Sequence, residues 1–452
     1  MCRDRRVKMR DGYWIFLVGV IVMMAGPTLT EAQVPYGSGG VPPQEPSAAG
    51  SPEWAAYVGA GGPFRIIPTM TVSERYDSNI LAFRSLGGAG RQQWDFVTDV
   101  SPGARATHSN SFMDGTLTGQ AIASFYVNNP GLNYVGAQGN FTTVLDKMSE
   151  RMVRGLGLRV SGTVLYYPEQ PAFVSPQSQL TDLFRGIQAR RNNAISNATT
   201  VQSSYMVNPL VQLTSSYSFQ TMRFIGQNNY GDTGQPLPLF DLTTHGATAG
   251  ANYLVVQDHT VGVGYSYRQT SFGSGTADSV IGRRSFAVHG VNATWSWTFA
   301  RDWRARVSPG LSLATQVPDR LFWTINAGLT WTGQQTSATV SFTRALHPSF
   351  FGEAALLASN VVSGSLSYRL SSTWEMTVGA NYAVNTRSGT GLGSTSLRFE
   401  SIGVNGSVRY SVYRGITAAL TGSHNDFTFE QPGTTFRYDR QVGMLTLTAE
   451  WN

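Results

Sequence analysis

The chain has 452 residues, a formal net charge of +6 at pH 7 and only 13% charged residues, about half the share of an ordinary soluble domain. Helical membrane proteins need apolar runs of about 20 residues, and only one run, residues 14–25, approaches that length. A typical soluble surface and a polytopic helical protein are therefore both excluded. Low charge with 49 glycines and 12% aromatic residues is instead typical of the alternating strands of a transmembrane β-barrel.

The N-terminal segment predicts a cleavable secretory signal at residues 1–32. Basic residues between Arg3 and Arg10 precede the apolar run, and Thr30-Glu31-Ala32 then places small residues at the two positions that a signal peptidase reads. Cleavage removes Cys2, the only cysteine, so the mature chain is expected to lack disulfides and cysteine-ligated metals. A retained membrane anchor is the alternative. The weak positive charge does not indicate nucleic-acid binding.

Residues 33–62 are rich in Pro, Gly, Ser and Ala and have no apolar period. We predict a flexible periplasmic leader here. The alternative is that Trp54 and Tyr57 dock this leader onto a partner or into a pore.

From Phe64 onward, alternation predicts an all-β fold, a transmembrane up-and-down antiparallel β-barrel over residues 63–452. The predicted strands are 64–80, 93–108, 111–127, 133–145, 149–165, 199–208, 214–226, 242–256, 259–272, 284–299, 303–316, 320–333, 337–347, 356–370, 373–386, 396–412, 416–427 and 434–451. Short turns are expected on the periplasmic side and long loops outside. If Asn208-Pro209 is not a turn, about sixteen strands become the alternative count. The long loop 166–198 is a candidate for folding inward as a constriction.

The alternate strand residues that are predicted to face the lipid carry two further signals. Aromatic residues near the short turns predict a periplasmic girdle; they are Trp297, Phe299, Trp331, Trp374 and Tyr410. In the last strand, Leu445, Leu447, Ala449 and Trp451 resemble the C-terminal assembly signal of outer-membrane barrels, although Asn452 follows the aromatic residue. The resemblance implies the barrel assembly machinery and outer-membrane lipid as partners.

The alternate strand residues that are predicted to face the lumen indicate a positively charged pore wall. The predicted pore-lining arginines are Arg105, Arg151, Arg159, Arg268, Arg304, Arg306, Arg369 and Arg409, against the inward acids Asp99, Asp114 and Glu375. Arginine rings favour anions over cations, so we expect an anionic or hydroxyl-rich solute. The alternative is that the guanidinium groups mainly brace the wall by pairing with the acids and with loop carbonyls.

No catalytic or metal-binding pattern is apparent. The six histidines are scattered, without a metal-ligand spacing. Ser423-His424-Asn425 is the one cluster similar to a membrane-embedded acyl hydrolase, but polar residues are also expected where a strand meets a loop. We predict no enzyme activity, no cofactor and no metal.

The beginning of the barrel carries a family resemblance. Tyr76, Asp77 and Asn79 form a Tyr-Asp-x-Asn signature, and Asp95 is followed by Pro102-Gly103 in the second strand. This segment resembles the β-barrel porins encoded in bacterial exopolysaccharide clusters, including those of PEP-CTERM/exosortase systems. The resemblance implies a Gram-negative outer-membrane channel for passive exopolysaccharide export, working with an envelope-spanning polysaccharide export/copolymerase complex. The alternatives are a general or substrate-specific uptake porin and a structural or adhesive barrel with a plugged lumen.

Overall fold

The computed structural model describes residues 64–80, 94–167, 193–225, 240–273, 285–315, 321–349, 356–387, 397–431 and 434–451. The predicted signal peptide and leader lie outside the described residues, as does most of the long loop predicted as a constriction.

The predicted all-β fold of eighteen strands is confirmed. The strands are β1 (Phe64–Asp77), β2 (Asp95–Ser109), β3 (Asp114–Tyr126), β4 (Tyr134–Val144), β5 (Leu156–Tyr167), β6 (Ala194–Asn208), β7 (Val211–Phe224), β8 (Leu242–Val256), β9 (His259–Phe272), β10 (Ser285–Ala300), β11 (Trp303–Ala314), β12 (Leu321–Thr332), β13 (Thr336–Pro348), β14 (Leu356–Arg369), β15 (Trp374–Arg387), β16 (Arg398–Tyr413), β17 (Ile416–Gln431) and β18 (Thr434–Glu450). A 3-10 helix, Pro130–Leu132, and an α-helix, α1 (Asp146–Met152), lie between strands.

The strands form one closed antiparallel barrel. Each pairs with its neighbours in the chain, and β1 pairs with both β2 and β18, so the sheet closes on itself. At one end of the barrel, here called the turn end, seven of the eight connections have two to four residues. At the opposite end, the loop end, every connection except 432–433 has six residues or more. The chain enters β1 and leaves β18 at the turn end.

Asn208 and Pro209, whose assignment decides the number of strands, form a turn between β6 and β7. The Asn208 side-chain oxygen accepts hydrogen bonds from the backbone N–H groups of Leu210 and Val211, both at 2.9 Å. An asparagine that caps its own turn in this way is a standard connection between strands. The count is therefore eighteen rather than sixteen.

The start of the fifth strand was predicted wrongly. The alternation after residue 145 indicated a short turn and a strand from residue 149, but α1 occupies this segment and β5 begins at Leu156. Lys, Met, Glu and Arg in this segment favour helix, and Asp146 and Arg151 lie at the ends where the helix dipole favours their charges. Gly155, with φ of 82°, then returns the chain to the barrel.

The outer face of the barrel is apolar. On β12 the predicted outward residues Leu321, Trp323 and Leu329 are exposed, and similar residues are exposed on the other strands. Such a continuous exposed apolar surface is costly in water and suits lipid. Among the described residues, no helix is long and apolar enough to cross a membrane.

Aromatic side chains form a belt around part of the turn end. Ring centroids lie 5.8 Å apart for Trp295 and Trp297, 4.7 Å for Trp297 and Phe299, 5.9 Å for Phe299 and Trp303, 6.1 Å for Trp303 and Trp331, and 4.5 Å for Trp374 and Tyr410. Amphipathic rings are enriched where a barrel meets the membrane interface. The belt therefore marks the boundary of the apolar band at the turn end.

Candidate functional site

Strand register determines which side chains face the lumen. Paired residues of neighbouring strands project to the same face, and Trp303 pairs with Trp331 on the apolar outer face. The next residues of the same strands therefore point inward: Arg304 opposite Thr330, and Arg306 opposite Gly328.

Seven lumen-facing arginines lie near the turn end, within the first five residues of their strands counted from that end. They are Arg65, Arg105, Arg159, Arg304, Arg306, Arg369 and Arg409. Five residues of strand extend about 17 Å, so these side chains lie in the part of the lumen next to the turn end, and together they are here called the arginine ring. Six of them were predicted as inward-facing from the sequence. Arg65 was missed, although its parity matches that of Arg75 and Thr69.

Acidic residues offset the ring only in part. In the strand register, Glu375 lies opposite Arg369 on one side and opposite Arg409 on the other. Glu450 accepts a hydrogen bond from Arg105 at 3.3 Å. The third acid in this part of the lumen, Asp114, is bound by Lys147 of α1. Among the described strand residues, seven arginines thus face three acids, and these residues together give the turn end of the lumen a positive charge.

For three members of the ring, the described residues provide no side-chain partner. Within the described part of the chain, Arg304, Arg369 and Arg409 make no ion pair or side-chain hydrogen bond. Bracing by ion pairs therefore does not account for these three, and their charges act on the lumen.

Arg151 and Arg268 lie elsewhere. Arg151, predicted on the fifth strand, is on α1, where its guanidinium lies 4.7 Å from the centre of the Phe112 ring. It belongs to the rim at the turn end and not to the strand wall, because helix replaces strand here. Arg268 does face the lumen, but near the loop end of β9, where it donates a hydrogen bond to the Leu346 carbonyl oxygen at 3.0 Å.

The Tyr-Asp-x-Asn signature lies at the junction of β1 and β18. The Asp77 carboxylate accepts hydrogen bonds from Arg440 of β18, at 3.0 and 2.5 Å, and from Arg75 at 3.1 Å. Asn79 donates its backbone N–H to Asp77 at 3.0 Å and its side-chain amide to the Asp439 carbonyl at 3.0 Å. Tyr76 points outward, with its ring centroid 5.5 Å from that of Phe96. In the described structure Asp77 and Asn79 thus join the first strand to the last, whereas Tyr76 packs against the second strand.

The Pro-Gly part of the resemblance also has a structural role. Pro102 is exposed on the outer face, and Gly103 faces inward. A Cβ added to Gly103 would lie 2.8 Å from both the Gly119 carbonyl oxygen and the Thr69 hydroxyl. Only glycine therefore fits at this position without displacing neighbouring backbone.

The C-terminal residues also close the barrel. Leu445, Leu447 and Trp451 are exposed on the outer face, and the Trp451 backbone N–H donates to the Pro68 carbonyl of β1 at 3.1 Å. Their role as an assembly signal stays a prediction.

The alternative of a barrel enzyme receives no support from the geometry. Ser423 and His424 are consecutive in β17 and project to opposite faces, so they do not form a nucleophile and base pair. No group of metal-binding side chains is found among the described residues.

No family model and no curated protein matches the chain. Among solved structures, OpdQ of Pseudomonas aeruginosa matches at 9% identity and a TM-score of 0.40, over 86% of this chain and 97% of that one. OccK2 (OpdF) of the same organism matches at 8% identity and a TM-score of 0.42, over 85% and 98%. The siderophore receptor PirA, also from Pseudomonas aeruginosa, matches at 8% identity and a TM-score of 0.42, over 86% and 80%. The barrel described above rests on this chain's own strand pairing.

Proposed function

We propose that the protein is an outer-membrane channel for anionic or hydroxyl-rich solutes and that the arginine ring selects them. The observation that carries this proposal is the excess of seven arginines over three acids in the part of the lumen next to the turn end. Charged groups on a narrow pore wall focus the potential along the path of a solute. A wall of this sign attracts anions and repels cations.

The architecture supports passage. Barrels of 16 to 18 strands enclose an interior wide enough for an aqueous channel. A closed barrel with an apolar outer face suits the bacterial outer membrane, where short turns face the periplasm. The arginine ring would then lie at the periplasmic mouth, and a solute taken up from outside would reach it last.

Charge selectivity in planar bilayers tests the proposal. Replacing Arg304→Gln and Arg306→Gln together removes two adjacent lumen charges, and each changes the free-energy difference between a passing anion and a passing cation by about 0.5 kcal/mol in a water-filled pore. The anion-to-cation permeability ratio, obtained from reversal potentials in a salt gradient, should fall about fivefold. Arg437→Gln is the matched control, because Arg437 lies on the outer face near the loop end. An unchanged ratio in the double variant would reject the ring as the selector, and a barrel that conducts no ions would favour a plugged, structural role.

Exopolysaccharide export is the second candidate, and the resemblance carried by Tyr76, Asp77, Asn79, Pro102 and Gly103 favours it. In that case a periplasmic export complex would deliver the polymer to the arginine ring. The same double variant should then lower polymer at the cell surface while barrel abundance stays constant. Altered ion selectivity with normal surface polymer would favour uptake of small solutes.

A further inference from the structure

One hairpin leaves the barrel wall at the loop end. β13 pairs with β12 only as far as the pair of Arg344 with Ile325, and residues 345–348 pair with β14 alone. Correspondingly, residues 321–324 of β12 pair with β11 alone. Beyond Arg344, the end of the β13–β14 hairpin is therefore separated from the neighbouring strand.

The Arg268 hydrogen bond shows which way this hairpin turns. Arg268 is on β9, four strand spacings from the β13 residue Leu346 that it contacts at 3.0 Å. Along the wall, four spacings amount to about 19 Å, whereas an arginine side chain reaches roughly 7 Å. Because Arg268 points into the lumen, Leu346 must lie inside the barrel.

Apolar packing supports the inward position. Phe286 of β10 and Ala314 of β11, both on the lumen-facing parity, form a buried cluster with Leu346 and Leu356 of the hairpin. The two leucines are on the parity that faces outward elsewhere in β13 and β14. That face contacts the inner wall because the hairpin bends across it. Burying these side chains stabilises the docked position.

We propose that the inward-folded end of the hairpin, residues 345–348 and 356–358, is the constriction that limits the size of the solute. Arg268 is a positioning residue that holds it against the wall. This inference rests on the proposed channel function and deepens it. Size would be selected at the loop end by the hairpin, and charge at the turn end by the arginine ring, so the two properties should respond to different substitutions.

Exclusion of polyethylene glycols in planar bilayers tests the size filter. Leu346→Ala with Leu356→Ala removes the apolar contacts but no charge, and the ratio of docked to undocked hairpin should fall on the order of a thousandfold or more. Larger glycols should then enter the pore, and conductance should rise at an unchanged reversal potential. Arg268→Met should widen the pore in the same direction.

The matched control is the Arg304→Gln and Arg306→Gln variant, which should shift the reversal potential and leave glycol exclusion unchanged. An unchanged glycol limit in both hairpin variants would overturn the constriction. Loss of the proposed channel function would appear differently, as wild-type barrels that conduct nothing.

Thiol labelling reports the position of the hairpin independently of conduction. His347, at the hairpin end, is 1% exposed, and Cys2 in the predicted signal is the only cysteine of the chain. With His347→Cys, a membrane-impermeant maleimide should react slowly, and quickly once Leu346→Ala and Leu356→Ala are added. Gln120→Cys, at an exposed lumen position, is the positive control and should react quickly in both backgrounds. Rapid labelling at position 347 in an otherwise unaltered, heat-modifiable barrel would overturn the docked hairpin.

Discussion

Asp77 and Arg440 form a two-point ion pair across the junction of the first and last strands, with nitrogen–oxygen distances of 3.0 and 2.5 Å. The Asp77 side chain is 1% exposed. Arg75 shares the carboxylate and also lies 3.4 Å from Asp99. Fork-like arginine–carboxylate pairs add geometric specificity to their strength, so this cluster fixes the register in which the barrel closes.

Removing the charge of Asp77 should therefore destabilise the closed barrel. Asp77→Asn leaves Arg75 and Arg440 with one buried carboxylate fewer, and breaking a buried pair from one side costs about 3–5 kcal/mol. Folded and unfolded barrel migrate as separate bands on a gel. The temperature at which the folded band is replaced by the unfolded band should be clearly lower for the variant than for the wild type. Asp426→Asn is the control, because it breaks the exposed pair with Arg437 and should have little effect. Equal stability of the two variants would contradict a closing role for Asp77.

Neutralising Glu375 should change ion selectivity in the direction opposite to that of the arginine variants. Glu375 pairs in register with Arg369 on one side and Arg409 on the other. Glu375→Gln removes a negative charge from the lumen wall between these two arginines, so the anion-to-cation permeability ratio should rise about twofold. Reversal potentials in a salt gradient measure it, with Asp426→Asn as an outer-face control. An unchanged ratio would place Glu375 outside the conduction path.

Deleting Trp451 and Asn452 should strongly lower the amount of assembled barrel. The deletion removes the terminal aromatic residue from the apolar row and the hydrogen bond from Trp451 to Pro68 of β1. The amount of heat-modifiable barrel in outer membranes measures assembly. Trp451→Phe keeps an aromatic side chain and should assemble normally. Full assembly of the truncated chain would show that the signal lies elsewhere.

Epitope tags should distinguish the two ends of the barrel in intact cells. Tags at positions 192, 231 and 274 fall in loop-end connections, whereas Ser372 and Asp302 fall in turn-end connections. Antibodies should reach the first set on whole cells and the second set only after permeabilisation. The reverse pattern would invert the proposed orientation and place the arginine ring at the outer mouth.

The strands and their faces were predictable because a strand's side-chain period is local. Alternation with period two identifies each strand and assigns each residue to one of two faces, without knowledge of the partner strand. Arg304, Arg306 and Arg409 were therefore placed on the lumen face from the sequence. The same local rule failed at α1, because a seven-residue helix between strands leaves only a brief break in the alternation. Arg151 was misplaced as a result.

Tertiary structure alone decided which residues meet. Asp77 and Arg440 are 363 positions apart, and the signature around Asp77 carries no local sign of its partner in β18. The loop 166–198, predicted as a constriction, lies mostly outside the described residues, and the part of the chain that the structure describes turns the β13–β14 hairpin inward. The alternation of side chains along residues 345–348 does not differ from that of any other strand end. Their inward course depends on β12 ending its pairing early, on Arg268 four strands away, and on the apolar inner faces of β10 and β11. Periodicity carries no information about such distant contacts, because they arise only when the barrel closes and brings these strands together.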